Sequence, residues 1–94
     1  MALNDMKSSK AVHDAVDEFN RLGREAFLEK YGFGKARRYF LFIKGRRYDS
    51  KAIVGVAHGY EYPSKGPLRS SDFNGGEKTV RRKLETLGFK VRVL

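Results

Sequence analysis

The sequence contains no cysteine and no tryptophan, and only two histidines and two prolines among its 94 residues. Without cysteine the chain forms no disulfide and no thiolate metal site, which fits the reducing cytoplasm. No apolar run approaches the length that crosses a bilayer, and the N-terminus lacks the apolar core of a signal peptide. These absences predict a cytoplasmic protein without membrane contacts.

Side chains suited to catalysis are scarce as well. The two histidines, His13 and His58, fall in different predicted helices, and no nearby carboxylate spacing suggests a zinc site or a catalytic triad. A metal-dependent nuclease needs clustered carboxylates or paired histidines to hold a cation. The candidate carboxylates are instead scattered at Asp49, Glu61, Asp72 and Glu77. We therefore predict no enzyme activity, no metal, no cofactor and no small-molecule substrate.

Positive charge is abundant and unevenly placed. The chain carries 20 Lys and Arg against 11 Asp and Glu, a net charge of +9. Residues 1–30 hold five basic and six acidic side chains, whereas residues 31–94 hold fifteen basic and five acidic ones. Such a polarised charge attracts polyanions, so nucleic acid is the leading partner. A solvated basic surface without a partner is the alternative.

Length and composition favour one domain over residues 1–94, because 40% of the residues are hydrophobic and the chain is too short for two cores. Residues 1–8 are predicted to be a frayed lead-in, and 9–31 a helical scaffold. In the scaffold, Val12, Val16 and Phe19 recur at helical spacing before Gly23, and a further helical stretch follows up to Gly32. Residues 35–94 are the basic part that we expect to face DNA.

This basic part begins with the strongest strand signal, at residues 38–43, followed by a tight turn at Lys44-Gly45 and a return strand at 46–48. Asp49 or Ser50 is expected to cap a helix that ends near Gly59, residues 60–76 form a long loop, and a last helix covers 77–87. Residues 89–93 alternate apolar and basic side chains, typical of a strand with one basic, solvated side. The prediction is an α+β fold, with a small, mostly antiparallel three-stranded sheet, three to four helices and the order α(α)-β-β-α-α-β.

Two segments carry the candidate DNA contacts. The first is the basic hairpin and the helix start after it, with Lys44, Arg46, Arg47, Tyr48, Ser50 and Lys51. A phosphate held there would explain Lys51, whose charge opposes the dipole in a first helical turn. An ordinary solvated turn is the other interpretation.

The second segment is a double-glycine turn that leads into the last helix, where free N–H groups favour an anion. Its candidates are Ser70, Ser71, Asn74, Gly75, Gly76, Lys78, Arg81 and Arg82. Alternatively, Asn74 only caps the helix. Tyr60 and Tyr62 are candidates for a contact surface, and Phe73 is assigned to the core.

The combination of YDSKAI at residues 48–53, FNGG at 73–76 and LETLGF at 84–89 resembles the N-terminal head domain of McrA-like, modification-dependent (type IV) HNH restriction endonucleases. The resemblance covers residues 10–93. It implies a DNA-recognition role linked to modified DNA, with 5-methylcytosine as the first candidate, and a DNA-facing pattern of Tyr48, Ser50, Lys51, Asn74, Gly75 and Gly76. In such enzymes a separate HNH domain cuts the DNA, so we expect an excised domain or a free-standing reader.

Our hypothesis is therefore a sequence-tolerant, duplex-DNA-binding module of a restriction or DNA-sensing system, with a preference for 5-methylcytosine. Two alternatives remain. One is a binder of single-stranded nucleic acid or RNA that uses aromatic side chains for stacking. The other is a protein-interaction domain whose basic surface meets an acidic partner.

Overall fold

The computed structural model describes residues 2–74 and 77–94 and has the α+β fold and element order that the sequence predicts. A 3₁₀ turn at Ala2–Asp5 precedes α1 (Ser9–Leu22) and α2 (Arg24–Tyr31). The hairpin β1 (Tyr39–Ile43) and β2 (Arg46–Asp49) then leads into α3 (Ser50–Glu61). A 3₁₀ turn at Ser70–Asp72, a π-helical turn at Glu77–Arg81, α4 (Arg82–Thr86) and β3 (Lys90–Val93) complete the chain.

The sheet is antiparallel with strand order β2-β1-β3, so the aromatic strand β1 lies in its centre. β1 and β2 are joined by the predicted two-residue turn. Lys44 and Gly45 have φ angles of 51° and 78°, the left-handed conformation that a tight hairpin turn requires at both positions. Since this turn sets the register, Phe42 pairs with Arg47 and Leu41 with Tyr48.

Two helices form the layer behind the sheet. α1 begins where the Ser8 hydroxyl accepts a hydrogen bond from the Ala11 N–H at 3.0 Å, and it ends at Gly23, as predicted. α1 packs along α3, which contacts both β1 and β2. The hydrophobic core lies between them and includes Val12, Ile53 and Leu41, each with no exposed surface.

The prediction of a frayed lead-in is wrong for the described part of residues 1–8. Leu3 and Met6 are only 4% and 1% exposed and belong to the core. The Met6 carbonyl accepts a hydrogen bond from Lys83 at 2.9 Å, and the Asp5 carbonyl accepts one from the Tyr62 hydroxyl at 2.6 Å. Two isolated apolar residues show no periodicity in the sequence, so no local pattern predicts their burial. They are buried because the packed helices leave space for them in the core.

Helix ends differ from the prediction at two places. α3 does not end at Gly59 but continues to Glu61. The glycine is needed there because the Pro67 backbone packs against it: a Cβ at position 59 would lie 2.7 Å from the Pro67 nitrogen. Asp49 occupies the N-cap position of α3, but its side chain makes no cap hydrogen bond and binds Arg24 instead. The predicted last helix is divided into the π-helical turn and the short α4.

Candidate nucleic-acid interface

The outer side of the sheet, turned away from α1 and α3, carries an alternating set of aromatic and basic side chains. Leu41, Tyr48 and Val91 belong to the core, so their neighbours along the strands face outward. We call the outward set the basic sheet face, and it consists of Phe40, Phe42, Arg47, Lys90 and Arg92. Neither phenylalanine belongs to the core cluster, and all three basic residues are exposed.

Two guanidinium groups lie over the phenylalanine rings in a crossed arrangement. Arg47 pairs with Phe42 in the strand register, yet its guanidinium carbon lies 5.0 Å from the ring centre of Phe40. Arg92 pairs with Phe40, and its guanidinium carbon lies 5.1 Å from the ring centre of Phe42. Each arginine thus reaches its diagonal neighbour across β1. The rings hold the two cations near the sheet, and neither guanidinium forms a hydrogen bond or ion pair with residues 2–74 or 77–94, so their N–H groups can bind an anion.

The electrostatics of this surface are one-sided. Lys44 and Arg46 extend it at the hairpin turn, and both are exposed. Asp49 is the single acidic residue of the three strands, and it is only 2% exposed. Its carboxylate accepts two hydrogen bonds from Arg24, at 2.9 and 2.8 Å, and one from the Ala36 N–H at 2.7 Å. Since these bonds neutralise the carboxylate, the strands present a positive surface.

The prediction that Tyr48 and Ser50 face DNA is wrong in this fold. Tyr48 is 3% exposed, packs edge-on against Phe19 and donates a hydrogen bond to Asn20 at 3.2 Å. Ser50 is 1% exposed, and its hydroxyl donates to the Tyr39 carbonyl at 2.9 Å. Tyr48 points inward because it alternates with the exposed Arg47, and Ser50 is buried where β2 passes directly into α3.

Lys51 and Ser70, predicted in separate segments, lie side by side. The Lys51 ammonium donates to the Ser70 carbonyl at 2.7 Å and lies 5.1 Å from the ring centre of Phe73. Phe73 is 6% exposed and belongs to the core, as predicted. The start of α3 and the second predicted segment therefore form one continuous region.

The remaining candidates of the second segment are only partly described. Ser71, Asn74 and Arg82 are exposed, whereas Arg81 is half-buried and pairs with Glu85 at 3.2 Å. Gly75 and Gly76, as well as the side chain of Lys78, lie outside the described residues. The phosphate site that the sequence predicts at the double glycine thus stays a prediction.

Tyr60 and Tyr62 lie at the far end of α3 from Lys51. Tyr60 is 41% exposed, whereas Tyr62 is half-buried, and the Lys65 ammonium lies 5.3 Å from the ring centre of Tyr62. The Tyr60 hydroxyl donates a hydrogen bond to Glu18 at 2.7 Å. This hydroxyl is therefore engaged with the helical layer, although its ring is accessible.

Glu18 is the centre of a buried polar cluster in the helical layer. It is 2% exposed and accepts hydrogen bonds from Lys30, Tyr31 and Tyr60 at 2.7 Å each. Burial alone raises the pKa of Glu18, but the hydrogen bonds from Lys30, Tyr60 and Tyr31 outweigh burial, and the net pKa is lowered. The hydrogen bond to Glu18, followed by burial, raises the pKa of Tyr60 to about 12.

Two further observations concern catalysis and membranes. Across residues 2–74 and 77–94, no three His, Asp or Glu side chains are grouped so that they could hold a metal ion. His58 is buried, and its Nδ1 lies 2.9 Å from the Gly66 carbonyl, so it packs the following loop against α3. Within the same residues, none of the helices has the length and apolar character needed to span a bilayer.

Sequence reasoning missed Phe40, Phe42, Lys90 and Arg92 as interface candidates. The alternation in residues 89–93 did predict a basic, solvated strand side, and this was the available signal. The antiparallel pairing of β3 with β1, which brings Arg92 beside Phe42, connects residues fifty positions apart in the chain. No local sequence pattern predicts that pairing.

These features define a small α+β domain that exposes one basic side of its sheet. The chain belongs to the family of ScoMcrA-like N-terminal head domains, whose family model matches residues 4–93. The resemblance that the sequence suggested is thereby confirmed. No curated protein matches the chain.

A solved structure agrees with this assignment. It is the structure of the type IV phosphorothioation-dependent restriction endonuclease ScoMcrA, with 34% sequence identity and a TM-score of 0.68. The match covers 96% of this chain but only 13% of that protein. This chain thus corresponds to one small part of the larger enzyme.

Proposed function

We propose that this chain is a DNA-binding head domain of a restriction system and that it holds duplex DNA by its phosphates. The observation that carries the proposal is the pair of guanidinium groups, from Arg47 and Arg92, fixed over the rings of the basic sheet face. Guanidinium groups bind phosphate through paired N–H donors, and their charge releases counterions from DNA. Family membership supports the same role.

The length of the surface gives an expected number of contacts. From Tyr39 to Lys44 the backbone advances roughly 17 Å, at about 3.3 Å per residue. Arg38, Arg47, Arg92 and the two hairpin cations, Lys44 and Arg46, lie along this path and are exposed. One phosphate for each of these cations gives about five contacts. The logarithm of the binding constant should therefore fall with the logarithm of salt concentration at a slope of about −4.5.

Duplex DNA is favoured over single strands by the position of the arginines. A stacking platform needs a ring whose outer face is open to a base. Phe40 is only 7% exposed, and both phenylalanine rings of the basic sheet face have a guanidinium over them. Stacking of a base would require displacement of the very cations that attract the strand. We expect duplexes to compete at least equally with single strands of the same length.

Selectivity for 5-methylcytosine would need a small apolar surface beside a base edge. Of the side chains that could supply it, Tyr48 and Phe73 are buried, and Tyr60 is exposed at the far end of α3. A phosphate-binding surface does not distinguish methylated from plain cytosine, so we expect equal affinities. The solved relative is a phosphorothioation-dependent enzyme, and a phosphorothioate alters the phosphate itself. A phosphorothioated duplex therefore belongs in the comparison.

The test is a fluorescence-anisotropy titration of a 20-base-pair duplex at several salt concentrations. Replacing both Arg47 and Arg92 by alanine should make the salt slope shallower by about 2, because two phosphate contacts are lost. The matched control replaces Lys10 and Arg21, two exposed cations of α1, by alanine and removes the same charge. The double variant Arg47→Lys and Arg92→Lys should retain most of the slope, because it keeps both charges.

Equal losses in the two alanine pairs would show that net charge alone attracts DNA and would refute the assigned surface. Absence of nucleic-acid binding by a folded chain would refute the proposed function and favour an acidic protein partner. Methylated, phosphorothioated and plain duplexes, measured side by side, test the finer question of which modification is recognised.

A further inference from the structure

A cavity of about 380 Å³ opens beside the sheet, between residues 34–39 and the first turn of α3. Its size lies within the range of small-ligand pockets. Four basic residues line it, together with Tyr39 and Ser70: Lys35, Arg37, Arg38 and Lys51. We call this cavity the basic groove. The sequence pointed to Lys51 and Ser70 but not to residues 34–38, which lie beside them only in the folded chain.

The charge of the basic groove is not balanced by its own wall. Asp49 is the acidic residue among those that line it, and both of its carboxylate oxygens are already engaged. One oxygen accepts from Arg24 Nε, and the other accepts from Arg24 Nη2 and the Ala36 N–H. The Asp49 charge is therefore directed to Arg24 and the backbone, and the cavity remains strongly positive.

Several parts of the wall are held in place without a ligand. The Lys51 ammonium is fixed by the Ser70 carbonyl and the Phe73 ring. The backbone before β1 is fixed by the Ala36–Asp49 hydrogen bond and by the Leu94 N–H, which donates to the Arg38 carbonyl at 2.7 Å. A site whose walls are already ordered loses less entropy when it binds an anion.

One guanidinium in the wall has no partner within the described residues. Arg37 is exposed and forms no hydrogen bond or ion pair with residues 2–74 or 77–94. Lys35 has a loose ion pair with Glu25, at 3.8 Å between two well-exposed side chains. A pocket that collects such cations is suited to an oxyanion with more than one negative charge and several acceptor oxygens.

We propose that the basic groove binds one phosphate group, apart from the contacts of the basic sheet face. The inference rests on the proposed function for the source of that phosphate, which is the bound nucleic acid. Tyr39 and Asp49 line the groove; Tyr39 precedes Phe40 of the basic sheet face in the chain, and Asp49 is the strand partner of Phe40. The groove therefore continues the basic sheet face at the end opposite the hairpin turn, and a strand that follows β1 leads into it.

The experiment uses inorganic phosphate as the probe and follows the amide and side-chain NMR signals of the full chain at constant ionic strength. Saturable shifts should appear at Arg37, Arg38 and Lys51. Arg37→Ala should weaken phosphate binding about tenfold, as expected for the loss of a hydrogen bond between charged groups. The control Arg21→Ala removes an equal charge from α1 and should leave phosphate binding unchanged.

A second arm identifies the source of the phosphate. Duplexes with a 5′-phosphate and with a 5′-hydroxyl are compared in the native chain and in Arg37→Ala. If the 5′-phosphate increases the affinity for the duplex and Arg37→Ala abolishes that increase, the groove binds the phosphate at a strand end. If the two duplexes bind equally well and Arg37→Ala lowers both affinities by the same factor, the groove binds an internal phosphate.

Phosphate shifts that do not saturate, or that Arg37→Ala and Arg21→Ala reduce equally, would overturn the proposal. DNA binding that still depends on Arg47 and Arg92 would in that case leave the proposed function intact. Saturable phosphate binding without any DNA binding would instead refute the proposed function and retain the groove as an anion site.

Discussion

Replacing Glu18 by glutamine tests whether the buried carboxylate holds the three helices together. Glu18 lies on α1, and its donors come from α2, through Lys30 and Tyr31, and from α3, through Tyr60. Glutamine has nearly the same shape, so the substitution removes the charge with little change in packing. What it removes is the extra strength that an ionised acceptor gives to each hydrogen bond.

The size of the effect follows from two phenol hydroxyls. A hydrogen bond to a charged group contributes about 1 kcal/mol more than a neutral one. Tyr31 and Tyr60 each donate such a bond, so the free energy of unfolding should fall by about 2 kcal/mol. For a chain of this length that corresponds to a decrease in Tm of roughly 8–16 °C. The Lys30 ammonium is more exposed, so its ion pair with Glu18 contributes little to this difference in the free energy of unfolding.

The pH dependence supplies a second measurement. The pKa of Glu18 in the folded chain is lowered from its ordinary value of 4.5, so its contribution is fully present above pH 4.5 and is lost as the pH falls further. The difference between native chain and Glu18→Gln should therefore shrink in acid. The pKa of Tyr60 is raised from 10.0 to about 12, so stability should also decline as the pH rises through that interval.

The assay is urea-induced unfolding followed by circular dichroism between pH 3 and pH 12, with Tyr60→Phe as the second variant. Tyr60→Phe should cost about as much as Glu18→Gln, about 2 kcal/mol, because it removes one whole hydrogen bond to the charged carboxylate. A Glu18→Gln chain within about 0.5 kcal/mol of the native one would refute the reasoning. So would a difference that stays constant down to pH 3.

Two other substitutions test the packing around the site. Asp49→Asn should lower the free energy of unfolding by about 2 kcal/mol, since Arg24 loses a charged acceptor. The control Asp14→Asn only breaks the exposed pair with Lys10 and should cost less than about 0.5 kcal/mol. Equal urea midpoints for the two variants would contradict this prediction. Gly59→Ala should cost about 1–2 kcal/mol, because the new Cβ would meet the Pro67 backbone at 2.7 Å. The open position Gly34 is its control, and a neutral Gly59→Ala in thermal unfolding would show that the loop can move away.

Local patterns were sufficient for much of the fold. The β-branched and aromatic residues of β1, followed by Lys44-Gly45, predict the hairpin because a two-residue turn of this kind brings adjacent strands together. The helical spacing of Val12, Val16 and Phe19 predicts α1 and its buried side. In both cases the interacting residues are near neighbours in the chain.

Features that depend on distant contacts were missed or misplaced. Gly59 resembles a helix stop, but it lies inside α3, where the Pro67 backbone packs so closely that a Cβ would clash with it. Leu3 and Met6 resemble a loose end, but they fill the core. Tyr48 and Ser50 share a basic segment with Arg47 and Lys51, yet they are buried, since strand alternation and the passage into α3 decide which side chains face the solvent.

By itself, the sequence determined the α+β class, the order of the elements and the excess of positive charge, because composition and short-range periodicity encode all three. The family was indicated by the resemblance of three short motifs, at residues 48–53, 73–76 and 84–89. Only the tertiary structure decided which cations share a surface. Pairing of β3 with β1 brings Arg92 and Lys90 beside Phe40, Phe42 and Arg47, and the approach of residues 34–39 to α3 assembles the basic groove. Both depend on contacts between residues far apart in the chain, which burial and strand register select.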